Sequence, residues 1–394
     1  MLSVNTFNIL IAGPAGTGVE AVSHSLALHF TREGLFVHTH SEYENRIRGG
    51  NNYSQVRISD AKLTAHSNSF DVMIAMNKNS ITSHLNEMKE GGAIVYDGEK
   101  IKMDGIEVPE NIHMISIPAN SIAEEVGLKL AANIVAVGAL FALIGKKDDA
   151  FFSVIESQFS KKGNEIIQIN KKALEKGYKY VQENFKERVL CNLEGDGGKR
   201  TLLFGNESIA LGCIKAGMKF LAAYPMTPGS TIMTALAKES RNYDIVVSHV
   251  EDEIAAVNMA IGAGATGIRA ATSTSGGGFA LMSEAVSFSG MTESPVVIFN
   301  AQRLGQSTGL PTRTAQADLR MAMHCGQGDF PRLVIALGDQ EECVRLTVDA
   351  FNYAEKFQIP VIVLTEKYIA DSYKSIEMDV CDGLKIERGE IVDS

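Results

Sequence analysis

From Phe7 onward the apolar and polar positions follow two periods, and the order in which those periods appear predicts the architecture. An apolar run over 8–12 predicts a buried strand, a glycine-rich turn follows, and apolar positions over 19–33 recur at helical spacing. The same reading gives strands at 36–40, 53–59, 71–76, 93–97 and 112–118, then helices near 130–145, 148–160 and 171–185. Strands alternating with helices predict an α/β domain over 1–186. Residues 187–202 contain Glu194-Gly195-Asp196-Gly197-Gly198-Lys199 and read as an exposed linker. Beyond it the pattern resumes, with strands at 220–223, 245–248, 270–274, 296–300, 333–336 and 361–365 and helices at 206–217, 231–240, 251–265, 279–291 and 340–356. That succession predicts a doubly wound parallel sheet over 203–375, with Ile254, Val257 and Ile261 sharing one face of the helix at 251–265 and a polar tail over 376–394.

Composition narrows the function classes without naming one. Hydrophobic residues make up 45% of the 394 and charged residues 21%, ordinary for an α/β enzyme. A formal net charge of -10 works against general affinity for nucleic acid. The longest apolar run, 130–145, is too short for a membrane span and predicts a buried helix, so no membrane association is expected. Residues 1–8 lack the regions of a signal peptide, which predicts a cytoplasmic protein. The five cysteines are scattered without close spacing, so free thiols are expected, with no iron-sulfur cluster and no metal in this chain.

Four stretches carry candidate chemistry. Gly13-Pro14-Ala15-Gly16-Thr17-Gly18 joins a strand to a helix, where Gly13, Gly16 and Gly18 permit a tight turn and helix-start N–H groups can hold an anion. Its spacing is not G-x-G-x-x-G, and His38, Thr39 and His40 stand where a ribose-binding acid belongs, which weighs against NAD or FAD; no Walker lysine follows. Tyr224-Pro225-Met226-Thr227-Pro228-Gly229-Ser230 leads into a helix with Ser230 as its expected N-cap, and either presents Thr227 at the sheet's C-terminal edge or serves as a rigid connector. Glu251-Asp252-Glu253 opens the next helix, where acids favour the dipole whether or not one does chemistry. Ser275 and Gly276-Gly277-Gly278 form either a cofactor-facing loop or a plain strand-to-helix turn. Gly195-Asp196-Gly197 resembles the start of a diphosphate-binding motif, but no suitably spaced Asn follows in a strand-turn context.

Three of these stretches, with two longer ones, resemble the 2-oxoacid:ferredoxin oxidoreductases. The glycine turn and Arg46-Ile47-Arg48-Gly49-Gly50-Asn51-Asn52-Tyr53-Ser54, followed by Val56-Arg57-Ile58-Ser59, are similar to the family's gamma domain. The Tyr224 loop, Glu251 to Ala256, and Gln302-Arg303-Leu304-Gly305-Gln306-Ser307-Thr308-Gly309-Leu310-Pro311-Thr312-Arg313-Thr314-Ala315-Gln316-Ala317-Asp318-Leu319 are similar, in this order, to its alpha subunit. Gln306 departs from the family's usual Pro. The resemblance spans nearly the whole chain and implies a gamma-type α/β domain followed by a pyrimidine-type thiamine-diphosphate domain.

It further implies that Glu253 bonds the cofactor's aminopyrimidine, with Tyr224, Pro225, Ser275 and Gly276 around it, while Arg303 and Thr227 hold the 2-oxoacid. Thr308 and Arg313 are further implied contacts, and Gly13, Gly16, Gly18 and Arg48 an implied anion loop for coenzyme A. The chain has no diphosphate site and no cluster cysteines, so the resemblance implies a beta subunit that supplies the diphosphate site, magnesium and a four-iron four-sulfur cluster, in a dimer of alpha-beta pairs. The implied reaction converts a 2-oxoacid, coenzyme A and oxidised ferredoxin to acyl-coenzyme A, carbon dioxide and reduced ferredoxin, or runs in reverse. The gamma-alpha order favours 2-oxoglutarate over pyruvate or branched-chain 2-oxoacids; a non-catalytic nucleotide- or acyl-coenzyme-A-binding module is the rival reading. The family's layout continues into another α/β domain past 364–375.

Overall fold

The computed structural model describes residues 5–44, 49–377 and 379–390. The chain forms two compact units, Met1–Leu202 and Leu203–Ser394. In the first, strands β1 (Thr6–Ala15), β2 (Phe36–Glu42), β3 (Gly49–Ser59), β4 (Phe70–Ala75), β5 (Met88–Asp97) and β6 (His113–Ile117) lie in the order β6-β5-β4-β1-β3-β2. Five of them run in one direction, whereas β3 runs antiparallel to its neighbours β1 and β2. The sheet is therefore mixed, and the six residues between β2 and β3 are too few for the crossover that a parallel pair needs.

Helices α1 (Val19–Arg32), α2 (Lys78–His84), α3 (Ala119–Glu125), α4 (Ala132–Ile144), α5 (Phe152–Phe159) and α6 (Asn164–Asn184) complete this unit. Nearly every side chain of α4 is buried, which places the longest apolar run in a core and not in a bilayer. Among the described residues no helix is long and apolar enough to cross a membrane. Helix α6 begins at Asn164, directly after Gly163 at φ 93°, and so starts seven residues before the expected 171. A Cβ on Gly138 would fall on the Leu174 carbonyl, and one on Gly177 on the Val135 carbonyl, so α4 and α6 meet backbone to backbone. Gly138→Ala should accordingly destabilise the chain by about 1–3 kcal/mol, read by urea denaturation, because rigid main chain would have to move; an unchanged midpoint would show that the helices separate freely.

The sequence predicts an exposed linker over 187–202, yet Cys191 and Leu193 are buried within the first unit. The N–H groups of Val189 and Cys191 donate to the carbonyls of Leu143 and Ile144 at 3.0 and 3.3 Å, satisfying the open end of α4. Strand β7 (Arg200–Phe204) follows at the junction.

The second unit comprises α7 (Gly205–Lys215), β8 (Phe220–Ala223), α8 (Ser230–Tyr243), β9 (Val246–His249), α9 (Glu253–Ala265), β10 (Ala270–Thr274), α10 (Gly276–Leu281), α11 (Ser283–Met291), β11 (Val296–Gln302), α12 (Leu319–His324), β12 (Leu333–Ala336), α13 (Gln340–Phe357), β13 (Pro360–Glu366), α14 (Lys367–Ala370) and β14 (Tyr373–Glu377). Six strands form an all-parallel sheet in the order β12-β13-β11-β10-β8-β9. Alternate residues of one strand feed different cores: Val297 and Phe299 pack with α7, α8 and α13, while Val296 and Ile298 pack with α9, α10 and α11. The sheet is thus covered on both faces.

The predicted polar tail is partly docked on this unit. Asn352 Nδ2 donates to the Lys385 carbonyl at 2.9 Å and its Oδ1 accepts from Glu387 N at 3.0 Å. Arg269, 3% exposed, donates to Glu355, Asn352, and the Ala216 and Glu387 carbonyls, and Arg388 reaches Glu355 at 2.9 Å.

Candidate functional site

The adjacent strands β8 and β10 send their following helices to opposite faces, since α8 lies in one core and α10 in the other. Where neighbouring parallel strands diverge in this way, a crevice opens outside their C-terminal ends. The loop carrying Thr227, the turn at Ser275 and Gly276, and the start of α9 all lie on that edge.

Glu253 begins α9 at this edge. The N-cap of α9 is Asp252, whose side chain accepts from Ala255 N at 2.7 Å, so the helix starts two residues later than the acidic run suggests. This phase turns Glu253, Ala256, Val257 and Ala260 inward and leaves Ile254 49% exposed, so Ile254 does not share the buried face of Val257 and Ile261. The carboxylate of Glu253 is 4% exposed, and its Oε1 has no hydrogen-bond partner within the described residues. Burying a carboxylate oxygen without a donor costs several kcal/mol, as an order of magnitude. A Cβ on Gly278 would lie 2.7 Å from Glu253 Oε1 and would collide with Thr274 Oγ1, so the missing side chain keeps the space beside the acid open.

Arg303 follows β11 directly and is 8% exposed. Its guanidinium donates to the Thr227 carbonyl at 2.7 Å and to the Thr308 carbonyl, tying two loops together. Burial pulls the guanidinium pKa down, and the Glu253 carboxylate opposes that shift, which places the two groups within electrostatic reach. Thr308 thus meets Arg303 through its main chain, and its residue is exposed. Arg313 supports the same loop through its backbone: Leu304 N donates to the Arg313 carbonyl at 3.0 Å, and Arg313 N to the Leu310 carbonyl at 3.0 Å.

Ser275 is fully buried with an unpartnered Oγ, and a Cβ on Gly276 would fall on the Asp318 carboxylate. Tyr224 and Pro225 are exposed at the mouth, the Tyr224 ring 6.4 Å from that of His249. The Thr227-Pro228 peptide is cis, and Gly229 and not Ser230 caps α8, because Ser230 already has helical backbone and makes no capping bond. Asn300, Gln302 and Asp318 escaped individual notice in the sequence: Asn300 Nδ2 donates to Asp318 Oδ2 at 3.1 Å, and Gln302 Oε1 accepts from Asp318 N at 2.9 Å. Gln302 and Asp318 frame the long signature, which was the available signal.

The aminopyrimidine of thiamine diphosphate fits these residues: an orphaned, buried carboxylate oxygen faces a glycine-made space flanked by buried hydroxyls. Among the described residues no group of three or more His, Cys, Asp or Glu could hold a metal ion.

In the first unit, Gly16 and Gly18 adopt φ 89° and 90°, and Asn133 Nδ2 donates to the Thr17 carbonyl at 2.6 Å. A cleft of about 320 Å³ opens beside this turn at the C-terminal ends of β4, β5 and β6, lined among others by Gly16, Thr17, Tyr96, Lys100, Asn120 and Lys129. Gly13 lies within β1, where a Cβ would meet Met76 at 2.7 Å. Arg48, the basic residue expected at this loop, lies outside the described residues.

Comparison with known proteins agrees with both units. Residues 8–180 match the family described as pyruvate ferredoxin/flavodoxin oxidoreductase, and residues 211–388 its thiamine-diphosphate-binding domain. The alpha subunit of a 2-oxoacid:ferredoxin oxidoreductase from a Sulfolobus species is 32% identical over 98% of this chain and 68% of its own length. The 2-oxoglutarate synthase subunit KorA of Archaeoglobus fulgidus is 42% identical over 45% of this chain and 51% of its own. The solved 2-oxoglutarate:ferredoxin oxidoreductase of Magnetococcus marinus, with 2-oxoglutarate, coenzyme A and succinyl-CoA bound, superposes with a TM-score of 0.93 at 33% identity, covering 99% of this chain and 68% of that one.

Proposed function

The chain belongs to the alpha subunits of the 2-oxoacid:ferredoxin oxidoreductases, and from that premise we propose that it takes 2-oxoglutarate, with Glu253, Thr227 and Arg303 as its working residues. It is an oxidoreductase subunit with a thiamine-diphosphate-binding domain. The observation that carries the proposed roles is the unpartnered Oε1 of Glu253. When bound, thiamine diphosphate supplies a carbon nucleophile and an electron sink. Glu253 Oε1 takes a hydrogen bond at the ring and handles its proton in a site where Gly278 leaves room and water is excluded by the buried strand ends. Two donors of Arg303 hold the Thr227 and Thr308 carbonyls, and a guanidinium has further N–H groups to grip the substrate carboxylate. Tyr224, Pro225, Ser275 and Gly276 line the cofactor space; Thr308 and Arg313 shape the substrate loop.

The cleft beside Gly16 and Thr17 receives part of coenzyme A in this proposal, with Lys100 and Lys129 available to its phosphates. A beta subunit completes the site with the diphosphate, magnesium and four-iron four-sulfur cluster functions, ferredoxin takes the electrons, and alpha-beta pairs dimerise in the cytoplasm. The 2-oxoglutarate assignment draws support from the Magnetococcus structure and the KorA relatives. The test is coenzyme-A-dependent viologen reduction by this chain co-purified with a candidate beta subunit. A kcat/KM for 2-oxoglutarate well above those for pyruvate and branched-chain 2-oxoacids is expected. An assembled complex that prefers pyruvate refutes the substrate assignment, and one inactive on every 2-oxoacid favours a binding module.

A further inference from the structure

We propose that Glu366 is the positioning residue of the loop that bears Arg303 and thereby sets affinity for the 2-oxoacid; the inference rests on the role given to Arg303 above. Glu366 ends β13, lies in register with Gln302 of β11 and is 8% exposed. Both of its carboxylate oxygens are spent on one short stretch of the loop. Oε2 accepts from Thr314 Oγ1 at 3.0 Å and Oε1 from Gln316 Nε2 at 3.1 Å. The Thr314 hydroxyl also accepts from Tyr368 N at 2.9 Å, so it is held from two sides at the start of α14.

From Thr314 the constraint passes to Arg303 in two steps. The carbonyl of its neighbour Arg313 accepts from Leu304 N at 3.0 Å, and Leu304 also pairs with Leu310, closing a small hairpin. Arg303 precedes Leu304 and leans on the Thr308 carbonyl within that hairpin. Apolar packing does not hold the hairpin down, because Leu304 and Leu310 are 40% and 53% exposed. Hydrogen bonds to a charged acceptor are roughly twice as strong as neutral ones, so the Glu366 pair is the anchor whose loss matters most. Glu366 belongs to β13, outside the signature that carries Arg303, and touches the loop at Thr314 and Gln316.

The test uses the alpha-beta complex with Glu366→Ala and Glu366→Gln, alongside Arg303→Lys. Glu366→Ala is expected to raise KM for the 2-oxoacid about tenfold while kcat stays within about twofold and KM for coenzyme A is unchanged. Glu366→Gln, which keeps one acceptor, should recover most of the affinity. Hydrogen exchange on the chain alone should speed up within 304–316 and nowhere else. Should Glu366→Ala prevent folding, Thr314→Val removes one bond from the loop side and should raise KM about threefold. An unchanged KM in either variant, or exchange that rises across the whole second unit, overturns the inference. If Arg303→Lys leaves KM unaltered, the role of Arg303 fails instead, and the exchange pattern still decides whether Glu366 anchors the hairpin.

Discussion

Glu253→Gln is expected to lower kcat of the alpha-beta complex by about 10³-fold, within the usual range for removing a group that moves a proton. The substitution preserves size and hydrogen-bonding reach but removes the carboxylate. Because Asp252 and not Glu253 caps α9, the helix start survives the change. Because Gly278 leaves the space beside Oε1 open, the amide fits where the acid was. The loss should therefore appear in turnover and not in assembly, and viologen reduction measured beside the sedimentation of the complex separates the two. Activity within tenfold of the parent would show that another group handles the proton. Glu251→Gln and Asp252→Asn serve as comparisons, since both acids are exposed.

Arg269→Leu is expected to destabilise the chain by about 3 kcal/mol, the lower part of the range for breaking a buried ion pair. The guanidinium is 3% exposed and is shared among Glu355, Asn352 and the carbonyls of Ala216 and Glu387. Removing it strands acceptors that no water reaches easily, each costing about 1–3 kcal/mol. Arg388, 42% exposed, remains on Glu355 and offsets part of the loss. Guanidinium denaturation reads the change, and proteolysis near Glu387 should accelerate because the segment loses the Arg269 bond to the Glu387 carbonyl. A midpoint equal to that of the parent would mean that Arg388 alone suffices.

Much of this was legible in the sequence, for identifiable reasons. Buried parallel strands such as β11 and β13 are continuous apolar runs bounded by turn residues, and each was recognisable without tertiary information. Helix phase was less legible: Ile254, Val257 and Ile261 are correctly spaced for one face, but capping by Asp252 and the demands of the crevice bring Glu253 inward in place of Ile254. One expected long helix at 279–291 is two, α10 and α11, because the former starts three residues earlier at Gly276 and ends before Ser283. The antiparallel placing of β3 depends on pairing, which periodicity does not encode. The residues flanking Arg303 were readable as a signature, but Glu366 was not, since a lone acid at a strand end carries no pattern and only its meeting with Thr314 and Gln316 gives it meaning.

The inward turn of Glu253 also describes a trade made by the fold. A methionine or leucine there would pack against Thr274 and the strand ends without forfeiting hydration, so by stability alone the acid is among the poorer choices for that position. The unpartnered Oε1 is that deficit, and under the proposed role a donor on the bound cofactor relieves it. Under the role proposed for Glu253, tightness of cofactor binding and steadiness of the folded chain become linked quantities, and one carboxylate sets both.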